Sequence, residues 1–117
     1  MSSLNVVGTG SEASLIERRE HSRVNAGVQI ELRQDGSPSV IRTKTSDISV
    51  GGCYVEMMFT LEPGSKLHLV LWINGERLRC NGVVITRHPQ FGNGIQFLDL
   101  SVEDRVRLRN LLQSSPQ

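Results

Sequence analysis

Between Lys66 and Cys80 the chain reads KLHLVLWINGERLRC. Leu67, Leu69, Leu71 and Ile73 alternate with Lys66, His68, Val70 and Trp72, the period of a half-buried β-strand with one apolar face. Asn74-Gly75 then supplies two residues that tolerate positive φ, which a type I′ hairpin needs at both central positions. The returning strand, from about Glu76 to Arg87, slips in parity: Leu78 and Cys80 fall on one face, Val83 and Ile85 on the other. A bulge at Asn81-Gly82 reconciles the halves, and bulges are how small barrels bend.

The same alternation extends toward both ends. Val24, Ala26, Val28, Ile30 and Leu32 form a first strand, Asp35-Gly36 a hairpin turn, and Val40–Ser46 a second strand. Cys53–Met58 reads as a third, followed by a loop containing Glu62-Pro63-Gly64. After His88-Pro89, Gly94–Leu98 reads as a sixth. Ser101 is a good helix N-cap, with Glu103 and Asp104 in the first turn, and Leu108, Leu111 and Leu112 form a stripe that can dock on a sheet. The helix's arginines are assigned to its C-terminal dipole and a solvated face. The fold class expected is all-β with a terminal helix, a six-stranded antiparallel β-barrel.

A chain of 117 residues with 38% hydrophobic residues is one ordinary domain. The leading residues MSSLNVVGTGSEAS are Ser- and Gly-rich, and 1–16 is read as a flexible arm, 17–113 as the domain and 114–117 as a disordered tail. Ser14 and Glu17 can form a capping box for a short helix over Leu15–Glu20. No long apolar run or secretory leader is visible, so a cytoplasmic location without membrane insertion is expected. Cys53 and Cys80 are read as reduced, small hydrophobes. A net charge of +1 argues against a general polyanion binder. Aromatics are few and mostly in core parity, against a polymeric nucleic-acid ligand, which needs aromatic platforms beside a basic groove. His68 and His88 look isolated, and no nucleophile–base pair, acid pair or metal cluster is found, so no enzyme is expected. Trp72, Met57, Met58 and Phe59 belong to the core or to a partner-binding patch.

Two segments escape strand periodicity. ERREHSRV, Glu17–Val24, holds Arg19 and Arg23 with three residues between them; DISVGG, Asp47–Gly52, is a polar turn between strands. Brought together, they make a toolkit for a guanine nucleotide. Paired guanidinium forks can clasp a phosphate and stack on a purine. Asp47 can accept from guanine's N1–H and N2–H₂ edge, Ser49 can donate to a phosphate or base, and Gly52 can let a ligand approach the backbone. Each residue also has a plainer role. Arg19 and Arg23 can pair with Glu17 and Glu20 in a solvated turn. Asp47 can bond the nearby backbone, and Gly51 and Gly52 can serve a positive φ. Arg18 is a stacking arginine or a solvated one, and His21 and Ser22 are spacers.

Arg19-x-x-x-Arg23 followed by Asp47-x-Ser49-x-x-Gly52 resembles the paired signature of PilZ domains, R-x-x-x-R and [D/N]-x-S-x-x-G. The likeness runs over roughly Glu17 to Leu112 and includes DISVGGCYVE and GNGIQFLDLS. It implies a six-stranded barrel that binds cyclic di-GMP. The two arginines would form one clamp on the linker ahead of the barrel, with Asp47, Ser49 and Gly52 the second on its surface. Gly51 is included in the site, as is Arg18, because the residue before the first clamp is tied in that family to whether one or two ligands bind. The function expected is a receptor that changes its N-terminal segment and surface on binding and so signals to an unidentified effector protein, as a monomer or weak dimer. The alternative is a protein-interaction module that does not depend on nucleotide.

Overall fold

A computed structural model of the chain describes residues 27–114. The expected arm over 1–16, the short helix over Leu15–Glu20, Val24, Ala26, the first clamp with Arg18, Arg19 and Arg23, and the tail beyond Ser114 lie outside the described residues. The elements run β1 (Gln29–Gln34), β2 (Val40–Ile48), β3 (Gly52–Glu56), β4 (Lys66–Ile73), β5 (Glu76–His88), β6 (Gly92–Leu98) and a helix, α1 (Val102–Ser114). The six antiparallel strands close into a barrel in the order β1-β2-β3-β6-β5-β4, β4 returning to β1. This is the expected architecture.

Alternation fills the interior. Val28, Ile30 and Leu32 from the first strand and its approach meet Leu67, Leu69, Leu71 and Ile73 from β4, with Ile48, Val55, Leu78, Val84, Ile95 and Phe97 completing the core. The β4–β5 hairpin is the two-residue turn its sequence demands, with φ of 52° at Asn74 and 80° at Gly75. At the β1–β2 connection Ser37 N–H donates to the Gln34 carbonyl at 2.9 Å across Asp35-Gly36.

The helix is fastened at both ends. Ser101 caps it by accepting the Asp104 N–H at Oγ, 3.0 Å away. Leu108 and Leu112 are buried against the barrel. Near its other end the Asn74 side chain donates to the Leu111 carbonyl at 3.2 Å. The arginines do not serve the C-terminal dipole, because no basic residue occupies the last turn. Arg107 instead reaches sideways to Glu76 at 3.1 Å and to the Arg77 carbonyl at 2.9 Å, tying α1 to the start of β5.

Several expectations need correction. The bulge does not fall at Asn81-Gly82: β4 and β5 stay in register from Lys66↔Val83 to Ile73↔Glu76. Gly82 continues the inward face of Leu78 and Cys80 toward Val84, and a Cβ there would lie 2.7 Å from Leu69 Cδ1. The parity slip arose from leaving a glycine without a face. The irregularity comes later, between Val84 and Thr86 against β6, at the exposed Ile85. β2 runs two residues further than expected, to Ile48, and β3 ends at Glu56, so Met57 and Met58 lie in the following loop. Phe59 and Phe91 are exposed on loops, and only Phe97 of the phenylalanines is in the core. His68 has a carboxylate partner after all: its Nε2 is 3.0 Å from Asp35 Oδ1. His88 Nδ1 meets the Tyr54 hydroxyl at 3.0 Å.

Cys53 and Cys80 form no disulfide. Burial, together with the Asp104 carboxylate, pushes the Cys80 thiol from 9.0 up to about 12. The folded state therefore holds this proton more tightly than the unfolded chain. The resulting stability is fully present below about pH 9 and is lost as pH rises toward 12. At pH 8 and under native conditions Cys80 should react with a thiol-specific disulfide reagent at least about a hundredfold more slowly than after unfolding in urea. Equal rates in the two states would show that neither burial nor Asp104 holds the proton.

Candidate functional site

The second motif occupies the crossing from β2 to β3. Asp47 and Ile48 end β2, Ser49, Val50 and Gly51 make the turn, and Gly52 opens β3. β2 pairs with β3 through Thr45↔Val55 and Asp47↔Tyr54, so Ser46 is an extra residue in the ladder. Strict alternation would bury Asp47 along with Thr45 and expose Ile48. The bulge inverts that order: Thr45 and Ile48 are buried, and Asp47 stands half-buried at the surface. A carboxylate is thereby moved off the core face for one added residue.

The turn is bound from within. The Ser49 N–H donates to the Gly52 carbonyl at 2.8 Å. Its hydroxyl accepts the Gly51 N–H at 3.2 Å and faces the Gly52 carbonyl at 3.4 Å. Ser49 is buried, and its hydrogen-bonding capacity is largely spent on the turn itself. Phe97 N–H donates to the Gly51 carbonyl at 2.9 Å, which anchors the turn to β6.

Positive φ does not explain the glycines. Among the described residues the glycines that adopt it are Gly36, Gly64 and Gly75. Gly52 is explained by packing: a Cβ would lie 2.1 Å from the Ile95 carbonyl oxygen of the neighbouring strand. Beside the turn opens a cavity of about 420 Å³ walled by Val50, Gly51, Gln96, Phe97, Asp99, Leu100 and Arg105. Gln96 and Arg105 are donors that motif reading passed over, because one is a polar residue on a strand and the other belongs to a helix.

The segment that leads into β1 is held next to this turn. Val28 N–H donates to Thr45 Oγ1 at 3.2 Å, and Thr45 N–H donates back to the Val28 carbonyl at 2.9 Å. The structure thus assembles Asp47, Ser49, Gly51 and Gly52 on one turn, two residues from the point where the incoming chain is fixed. Among the described residues no group of three or more His, Cys, Asp or Glu side chains could hold a metal ion.

A small closed barrel of six antiparallel strands, one C-terminal helix and a bulged, internally bonded β2–β3 turn places the chain among the small closed β-barrels. The chain belongs to the PilZ domain family, whose model matches residues 17–114. Solved structures agree on the fold. The PilZ domain of CeSA from a cellulose-synthesizing bacterium is similar at a TM-score of 0.65 and 20% identity, over 79% of this chain and 98% of that one. The PilZ domain of YcgR from Escherichia coli, solved with c-di-GMP, is similar at 0.68 and 16% identity, over 83% and 90%. The Bacillus subtilis inhibitor of motility, MotI/DgrA, is similar at 0.67 and 20% identity; the match covers 82% of this chain and 50% of that longer one. A sequence search of curated proteins returned no match.

The two tight glycines should differ in cost when filled. Gly52→Ala drives a methyl against a backbone carbonyl, which can move only with its strand, whereas Gly82→Ala meets the flexible end of Leu69. Urea unfolding should show a loss of about 3 kcal/mol or more for Gly52→Ala and about 1 kcal/mol for Gly82→Ala. Equal losses would mean that the Ile95 carbonyl gives way as easily as a methyl group.

Proposed function

We propose that this domain is a cyclic di-GMP receptor that acts as an adaptor, without catalysis, in the cytoplasm. The observation that carries the reading is the bulge at Ser46, which presents the Asp47 carboxylate at the surface beside the point where the incoming chain is fixed. Arg23 lies five residues before Val28 in sequence, and five residues of chain reach at most about 18 Å. The tether is therefore short enough for the arginine motif to share a ligand with the turn. In this reading Arg19 and Arg23 clasp phosphate and stack on a purine, and Asp47 accepts from the guanine donor edge. The bonds within the turn fix the backbone of Gly51 and Gly52 against which the ligand rests. Family membership and the fold shared with the YcgR domain solved with c-di-GMP support it. Closing the N-terminal segment over the ligand would create the surface that an effector protein reads, with the receptor as a monomer or weak dimer.

A second reading is favoured by one observation. Ser49 and Gly52 each have a structural task that explains them without any ligand. A nucleotide-independent interaction module would keep the same turn. Calorimetric titration separates the two: the receptor binds cyclic di-GMP, and the module does not.

Selectivity follows from the acceptor. Adenine has no donor where guanine carries N1–H, and a desolvated acceptor left without a partner costs about 1–3 kcal/mol. Cyclic di-AMP should accordingly bind at least about tenfold more weakly than cyclic di-GMP. Arg19→Ala and Arg23→Ala should each weaken binding by roughly 10- to 100-fold with the melting temperature unchanged, and Arg→Lys should rescue poorly, because ammonium lacks the fork and the flat face. Full rescue by lysine would reduce the clamp to simple charge.

Stoichiometry turns on Arg18. Two cyclic di-GMP molecules can intercalate into a four-base stack, which presents more phosphate charge and more base faces than one molecule. The added arginine ahead of the pair is suited to the second copy. Native mass spectrometry of the saturated domain should show two ligands per chain, falling to one in Arg18→Leu. A single ligand in the unmodified protein removes this role for Arg18 and leaves the receptor reading intact.

A further inference from the structure

We infer that the outer face formed by β2, β1, β4 and β5 docks an acidic polypeptide segment that carries a large apolar side chain. The strand register lays the face out. One cross-strand row runs Lys44–Gln29–Trp72–Arg77 and the next Arg42–Glu31–Val70–Arg79. The flanking inward residues Ile30, Leu71 and Leu78 are buried, so both rows point away from the core. The two outer strands are thus basic rails, Arg42 and Lys44 on β2 and Arg77 and Arg79 on β5. Between them lies a floor of Gln29, Glu31, Val70 and Trp72. Three strand spacings, about 14 Å, separate the rails.

The charge on this face is far from the protein's average. Residues 27–114 contain ten lysines and arginines and nine carboxylates. These eight positions hold four of the cations and a single carboxylate. That carboxylate, Glu31, is only 22% exposed and already receives the Arg42 Nε–H at 2.8 Å. Among the described residues no carboxylate forms an ion pair with Lys44, Arg77 or Arg79. Trp72 is half-buried, and a cavity of about 420 Å³ opens between it and the β2 rail.

An acidic polypeptide fits this layout. Carboxylates match guanidinium forks two bonds at a time, and Arg42 with Glu31 shows the face already engaging one. A large apolar side chain among the carboxylates fills the cavity against the indole, the buried-anchor arrangement that dominates protein interfaces. A nucleic-acid polymer asks for a succession of aromatic platforms, and this face has one. A lipid surface asks for exposed apolar side chains to insert, yet Met58, Phe59 and Phe91 project from the β3–β4 and β5–β6 loops instead. The face lies before the Ser46 bulge and contains no residue of the nucleotide motifs, so the inference does not rest on the proposed receptor function.

The probe is a fluorescent random copolymer of glutamate and tyrosine, with polyglutamate, oligothymidylate and phosphatidylglycerol vesicles as parallel arms, at about 50 mM salt. The copolymer should bind more tightly than polyglutamate. Arg77→Ser with Arg79→Ser should weaken it by about tenfold, and Arg42→Ser with Lys44→Ser, on the opposite rail, by a similar factor. Trp72→Gln should remove the preference for copolymer over polyglutamate. Unchanged copolymer binding in both rail variants overturns the proposal. So does a preference for oligothymidylate or for vesicles over the copolymer, which would assign the face to a nucleic acid or a membrane.

Discussion

Closure of the barrel through β1 is the constraint on which the other features depend. Only six residues long, β1 is bonded along both edges, to β2 and to β4. Without that double pairing β2 and β4 would be open edges, and the row of leucines on β4 would face solvent rather than Ile30 and Leu32. Closure also fixes where the chain comes in. Because β1 lies against β2, Val28 is bonded reciprocally to Thr45, which sets the start of the barrel beside the bulged end of β2.

Within a closed barrel every residue faces either in or out, so each irregularity is a decision about which side chain goes where. Ser46 is the instructive one. A single extra residue keeps Thr45 and Ile48 in the core and puts Asp47 outside, where an ordinary ladder would have buried a carboxylate at a cost of several kcal/mol. Ile85 is the matching irregularity on β5. Buried polar groups are handled with the same economy. The Asn93 amide, fully enclosed, accepts from the Leu61 N–H at 2.8 Å and donates to the Leu61 and Thr86 carbonyls at 2.9 and 3.1 Å. It extends the sheet's hydrogen bonding into the β3–β4 loop with a side chain in place of a strand.

Features that depend on local periodicity were legible in the sequence. The Lys66–Cys80 hairpin, the alternation in β1 and β4, the Ser101 cap and the position of the Asp47–Gly52 turn all follow from neighbours along the chain. What failed depended on contacts across it. The β5 bulge was misplaced because Gly82 gives no hydropathy signal, although its missing side chain is what Leu69 needs. His68 looked isolated because Asp35, its partner, is brought to it only when β1 pairs with β4. Phe59, which hydropathy alone leaves open between core and surface patch, is exposed on the β3–β4 loop even though Met57 and Leu61 of the same loop pack against the core. The second motif is legible by its spacing, whereas the structural tasks that Ser49 and Gly52 also carry depend on contacts that spacing does not show.

The overall charge of +1 concealed more than it disclosed. Charge acts over about 10 Å at ordinary ionic strength, so what a partner meets is the local arrangement and not the total. Strand register sets that arrangement here. Lys44 and Arg42 precede the bulge and face outward with the floor of β1 and β4, whereas Asp47 follows it at the end of β2 that leads into the β2–β3 turn. One bulged strand therefore carries cations on one stretch and an anion on the next, separated by a change in facing that takes one residue. An unbroken ladder running through Ser46 would merge the two by returning Asp47 to the core face. The division of the surface into a basic face and an acceptor-bearing turn is thus a property of the β2 ladder and not of composition.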